Sequence, residues 1–144
     1  MPVFCMKKFV IESRIKPPVD ILNELDFVDT YSSCEGHYHE RDPQHHRANV
    51  LFWLNGRHSE GAVEDFARFV LARTCEGWSE RHVELLKHYV MMPGYDELET
   101  QYELRITPFS QLAPADVRRE QTDDGIACCV EAVRKYIVSK RRPH

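Results

Sequence analysis

Ser32, Ser33, Cys34, Glu35, Gly36 and His37 follow one another in this chain, and His39, His45 and His46 stand just beyond them. Four of the eight histidines therefore fall between residues 37 and 46, beside Cys34, Glu35, Glu40 and Asp42. Three kinds of chemistry fit those types at that spacing. Cys34, His37, His39, His45 and His46 offer thiolate and imidazole donors, which suit zinc or another borderline metal. Gly36 allows the sharp curl that would bring such donors around one ion. The spacing itself matches no standard zinc-finger or zincin pattern.

The second chemistry is catalytic. A cysteine at the end of a strand becomes a nucleophile when a base lowers its pKa, which casts Cys34 as nucleophile and His37 as its partner. Glu35 could then orient His37 or accept a proton. The distance from Cys34 to Arg41 is one residue too long for a phosphatase Cys-to-Arg loop. The third chemistry is anion binding, through the hydroxyls of Ser32 and Ser33 and the backbone N–H groups near Gly36. Arg41, Arg47, Arg57 and Arg105 are the candidate counter-charges, Arg105 foremost because it lies on the polar face of a strand. Each reading has a plain counterpart: cysteine is often just a small buried residue, and arginines mostly lie on the surface.

The elements that must hold these residues are legible from periodicity. Residues 3–13 read as a first strand, with Phe9 and Ile11 on its apolar face. Pro17 and Pro18 end it and open a short helix over 18–26, since proline fits a first helical turn. Val28 to Cys34 reads as a strand that turns small and polar at its end, followed by a long polar loop from Glu35 to Arg47. Ala48 to Leu54 is continuously apolar from Val50, as a central strand covered on both faces would be. Trp53 belongs to the core on that reading.

Ser59 is the expected N-cap of the next helix, which buries Ala62, Phe66, Phe69 and Val70 and ends near Cys75. Residues 82–91 and 99–107 alternate as a hairpin. Tyr102, Leu104 and Ile106 face one way in its second strand, and Gln101, Glu103 and Arg105 the other. A last helix carries Ile126, Cys129 or Val130, Val133 and Ile137 at 3.6-residue spacing, opened by Pro114 or capped at Asp123. The order βαββαββα is that of an α+β domain over residues 1–144. It predicts a mixed or antiparallel sheet with helices mostly on one face, and its first six elements match a ferredoxin-like core.

The run from Asn23 to Gly36 resembles the start of the wybutosine-synthesising tRNA methyltransferase family, in which a short helix leads into a strand ending Ser-Ser-Cys-Ser-Gly-Arg. Ser32, Ser33, Cys34 and Gly36 match that motif, while Glu35 stands in place of its serine and His37 in place of its arginine. The match spans about a tenth of the chain. That family acts on a modified guanosine in tRNA with S-adenosylmethionine as methyl donor; the resemblance implies a shared fold core and site location, with S-adenosylmethionine a candidate cofactor, and not the same reaction. The segment is also similar to small bacterial and phage proteins that carry a Ser-Cys-Glu-Gly-His signature.

Composition narrows the rest. A net charge of −4 argues against bulk nucleic-acid binding. Aromatic and basic residues are not interleaved in one stripe, so an RNA-binding platform is not expected. No segment has the length and apolarity of a membrane span, and no secretory leader pattern opens the chain, which together predict a cytoplasmic protein. Five cysteines in no framework, with no CxxC pair, fit free thiols in a reducing compartment. The sequence thus predicts a site at Ser32 to His39 for a small anionic or nucleotide-like ligand. The alternative is a metal-stabilised or partner-binding module built on Cys34 and the loop histidines.

Overall fold

The computed structural model describes residues 10–55, 60–74, 81–91, 93–94 and 96–141, and it is an α+β fold. Helix α1 spans Lys16–Leu22, strand β1 Val28–Cys34, β2 Ala48–Leu54, helix α2 Glu60–Thr74, β3 Arg81–Met91, β4 Leu98–Pro108 and helix α3 Ala115–Arg141. A single 3-10 turn, Pro43–His45, interrupts the loop between β1 and β2. The four strands form one antiparallel sheet in the order β1-β2-β4-β3.

The sheet buries one face under the helices. Ala48, Val50 and Phe52 of β2, Tyr102, Leu104 and Ile106 of β4 and Val83 of β3 form a single core with Val63, Phe66 and Val70 of α2 and Ile126, Cys129, Val133 and Ile137 of α3. Period two in the strands meets period 3.6 in the helices, and the apolar positions of both converge. Phe66 sits at the centre, edge-on to Phe27 at 6.0 Å and to Tyr136 at 5.3 Å between ring centroids. Cys129 is buried and Cys128 half-exposed, as adjacent helical positions require.

Several expectations change. Most of the expected first strand, and Arg57, Ser59 and Cys75, lie outside the described residues. Val10 to Glu12 are not strand. The β3–β4 hairpin is laid beside β2 as a unit, so the described strands form two adjacent antiparallel pairs and not the interleaved core of a ferredoxin-like fold. Helix α1 stops at Leu22 rather than continuing to 26. The Asn23 side chain turns away to bond Thr30, its Nδ2 donating to Oγ1 at 2.8 Å, and so ties the helix end to β1. Helix α3 is continuous from Ala115. Arg118 N donates to Pro114 O at 3.0 Å, so Pro114 marks the start, and Asp123 lies inside the helix, paired with Arg119.

β2 is central but not covered equally. Asn49, Leu51 and Trp53 face the side of the sheet on which no described helix packs, and they are half-buried. Trp53 is therefore not core. It stacks on Tyr31 at 4.9 Å, where a bulge between Thr30 and Ser32 turns the Tyr31 side chain across the strand, and Tyr31 Oη donates to Gln101.

Candidate functional site

The outer face of the sheet holds an unexpected buried carboxylate. Glu103 was expected on the polar face of β4, and it is there, yet its side chain is only 4% exposed. Arg105 Nε and Nη2 reach its two oxygens at 3.0 and 2.9 Å. Asn49 Nδ2 donates at 3.0 Å and His88 Nε2 lies at 2.9 Å. Burial alone would raise its pKa, but the hydrogen bonds from Arg105, Asn49 and His88 and the Arg105 charge override that and hold it at about 2. Arg105 is thus committed to Glu103 and stands two strands away from Cys34, in the row Cys34–Asn49–Arg105.

Cys34 ends β1, and the chain turns at Gly36 with φ 90°. A side chain there would also collide: a Cβ would lie 3.0 Å from Tyr38 Oη. Tyr38 cannot retreat. It is buried, its hydroxyl bonds Thr122 on α3, and the Arg118 and Arg119 guanidinium groups lie over its ring at 5.3 and 5.4 Å. Arg119 Nη1 also donates to Gly36 O at 2.8 Å, and Arg118 Nη2 to Tyr38 O at 3.3 Å. The turn is therefore clamped onto α3 by three side chains that the sequence placed eighty or so residues away. Gly36→Ala is expected to cost about 1–3 kcal/mol through backbone strain and the Tyr38 contact. A denaturant titration followed by circular dichroism checks it, and an unchanged midpoint would contradict this account of the turn.

Around Cys34 the surroundings are acidic. Glu12, from the segment before α1, accepts from Glu35 N at 3.1 Å through Oε1, and its Oε2 lies 2.8 Å from His37 Nε2. Glu12, Cys34 and His37 each present a donor atom within 4.8 Å of the others. The side chains of Glu12 and His37 are 31% and 34% exposed, so the cluster is half open to solvent. The Cys34 thiol is pushed above its ordinary range by burial. Gly36 N, donating to Sγ at 3.4 Å, pulls it down, and the carboxylates of Glu12, Glu35 and Glu40 push it up again.

The sequence-predicted residues separate accordingly. Cys34 and His37 are brought together. Glu35 does not orient His37; it pairs with Arg14, whose N and Nη1 donate at 3.3 and 3.2 Å. Glu12 occupies the role expected of Glu35. His45 pairs with Glu40, which raises its pKa, and its ring centroid is 5.9 Å from that of His37. His46 lies between Arg118, at 3.3 Å from Nδ1, and Glu40 O, at 2.6 Å from Nε2. His39 and Arg41 are exposed on the loop. Ser32 and Ser33 line a groove of about 270 Å³ with Val10, Ile11, Val19, Thr30 and Tyr31.

The turn's amides differ most from expectation. Glu35 N is taken by Glu12, Gly36 N by Cys34 Sγ and His37 N by His45 O at 2.6 Å. An anion therefore finds no N–H cradle there. No family model, no curated protein and no solved structure matches this chain. Nothing in local spacing marks Glu12, Arg118 or Arg119, because all three reach the turn only through the tertiary fold.

Proposed function

We propose that the protein binds a zinc-type divalent cation between Glu12, Cys34 and His37. The observation that carries this is the convergence of a carboxylate, a thiol and an imidazole within 4.8 Å, with the carboxylates of Glu35 and Glu40 also acting on the thiol. A cation resolves each cost of the cluster. It favours the thiolate that the surrounding carboxylates oppose, and it replaces the His37–Glu12 hydrogen bond with two coordinate bonds. With bonds of about 2.0–2.3 Å, tetrahedral donors sit roughly 3.3–3.8 Å apart, so small side-chain adjustments suffice. An ion on Nε2 leaves His37 Nδ1 facing Glu40 Oε1, now 3.9 Å away, the carboxylate pairing that commonly orients a ligating imidazole.

Three donors and half-open exposure favour a site with a vacant coordination position over a closed structural one, which needs four protein donors. Among the described residues no fourth donor joins the cluster. A vacant position takes water or an anionic oxygen, so a small anionic or nucleotide-like ligand would reach the turn through the ion and not through backbone amides. Without the ion, the elevated Cys34 pKa leaves a protonated thiol and a poor nucleophile.

The test is native mass spectrometry with elemental analysis of untagged protein purified without chelators. One ion per chain is expected. A metal-free protein that also fails to take up added zinc would refute the reading. Titrating the loaded protein with phosphate, nucleotides and S-adenosylmethionine then distinguishes ligand classes on the open position.

A further inference from the structure

We infer that two copies of this chain pair along β3, edge to edge and antiparallel about Leu86, so that the two sheets run on as one. β3 is an edge strand of 11 residues, and among the described residues it pairs only with β4. Its register with β4 runs unbroken from Arg81↔Pro108 to Met91↔Leu98, so no bulge or proline bends the edge away. Edge strands are normally blunted by such devices or by outward charges. Here two of the polar side chains turn back to their own chain: Lys87 pairs with Glu60 on α2, and His88 with Glu103. The opposite edge differs, because Glu12 and Arg14 border the end of β1 through their bonds to Glu35.

The strand's own pattern specifies a second copy as the occupant. In an antiparallel pair centred on Leu86, Glu84 stands opposite His88 of the other copy, twice, with Leu86 opposite itself between them. Val83 stands opposite Tyr89 on the helix-bearing face, again twice. Directly opposite side chains lie close enough for each of these pairs to interact. Moving the centre to Lys87 would set two lysines against each other, and a pairing of the two strands in parallel register would do the same. The hairpin also extends past the end of β2, whose last partner on β4 is Gln101, and this overhang exposes Tyr89, Met91 and Leu98. Pairing about Leu86 carries that apolar tip alongside the start of the partner's β3 and covers Tyr89. Cys34 lies on the far edge of the sheet, so the inference stands or falls independently of the metal site.

Sedimentation equilibrium of the wild type should give twice the 16.9 kDa of one chain. Leu86→Cys, oxidised under mild conditions, should form an intermolecular cross-link between the two substituted positions, identified by peptide mass. Val90→Cys, far along the strand from its own counterpart, should not. Leu86→Lys should shift the mass to one chain while the circular dichroism spectrum stays that of the wild type. A wild type of single-chain mass up to its solubility limit would overturn the proposal. So would a dimer that gives no cross-link at position 86.

Discussion

Cys34→Ala is expected to lower zinc affinity by about 100-fold or more, measured by competition with a chromophoric chelator. Losing an outer-shell partner of a metal site already costs roughly 10–100-fold, and Cys34 would be a direct donor. Glu12→Gln should weaken binding comparably, because the amide oxygen keeps the shape and loses the charge. His39→Ala should change nothing, since His39 is exposed and outside the cluster. This pattern separates a defined three-donor site from loose histidine binding, in which His39 and His45 would matter as much as Glu12. Equal affinity across the set would eliminate the proposed coordination.

The same site predicts a pH dependence with a definite sign. Binding needs the Cys34 thiolate, and the free thiol's pKa lies above its ordinary range. Metal uptake therefore releases a proton throughout the neutral range, and affinity falls about tenfold per unit drop in pH for each proton displaced. Proton release measured by calorimetry in buffers of different ionisation enthalpy should be close to one per ion in wild type and absent in Cys34→Ala.

Glu103→Gln is expected to destabilise the fold by about 3–5 kcal/mol, the usual cost of removing one partner from a buried ion pair. The amide would turn its own donors toward the Arg105 guanidinium, or leave that guanidinium without a charge partner. The pH dependence gives an independent check. In the folded protein the carboxyl is held at about 2, against 4.5 ordinarily. A depressed carboxylate contributes its full stability above the ordinary value and loses it as pH falls through the folded one. The wild type should therefore lose on the order of 3 kcal/mol between about pH 4.5 and 2 from this group. Glu103→Gln should lack that component. Parallel acid profiles of the two proteins would show that the network around Glu103 does not stabilise the fold.

The two predictions divide between what pattern reveals and what it hides. β4 was legible because Tyr102, Leu104 and Ile106 alternate with Gln101, Glu103 and Arg105, and period two assigns faces without reference to neighbours. Pattern could not say that Glu103 would be nearly sealed from water. That required Asn49, brought from β2 by strand pairing, and His88, from the other arm of the hairpin, to join Arg105 two places along the same strand. β2 shows the converse. Its unbroken apolar run promised cover on both faces, yet the described helices pack on one alone, and the Tyr31–Trp53 stack half-covers the other. That the donor spacing matches no standard zinc pattern has a similar cause, because Glu12 lies far upstream of Cys34 and His37.

The local sequence determined that Cys34 and His37 share a turn, since only Glu35 and a left-handed glycine separate them and so short a span leaves them no room to diverge. It also determined the amphipathic faces of β4 and α3, which depend on periodicity alone. The tertiary structure decided the rest. Glu12 displaced Glu35 as the partner of His37, the turn's amides were consumed by internal acceptors, and Arg118 and Arg119 locked Gly36 and Tyr38 onto α3. Apart from the local bonds of Gly36 N to Cys34 Sγ and His37 N to His45 O, those choices join residues distant in the chain. Their proximity follows from burying a common core, which no local spacing encodes.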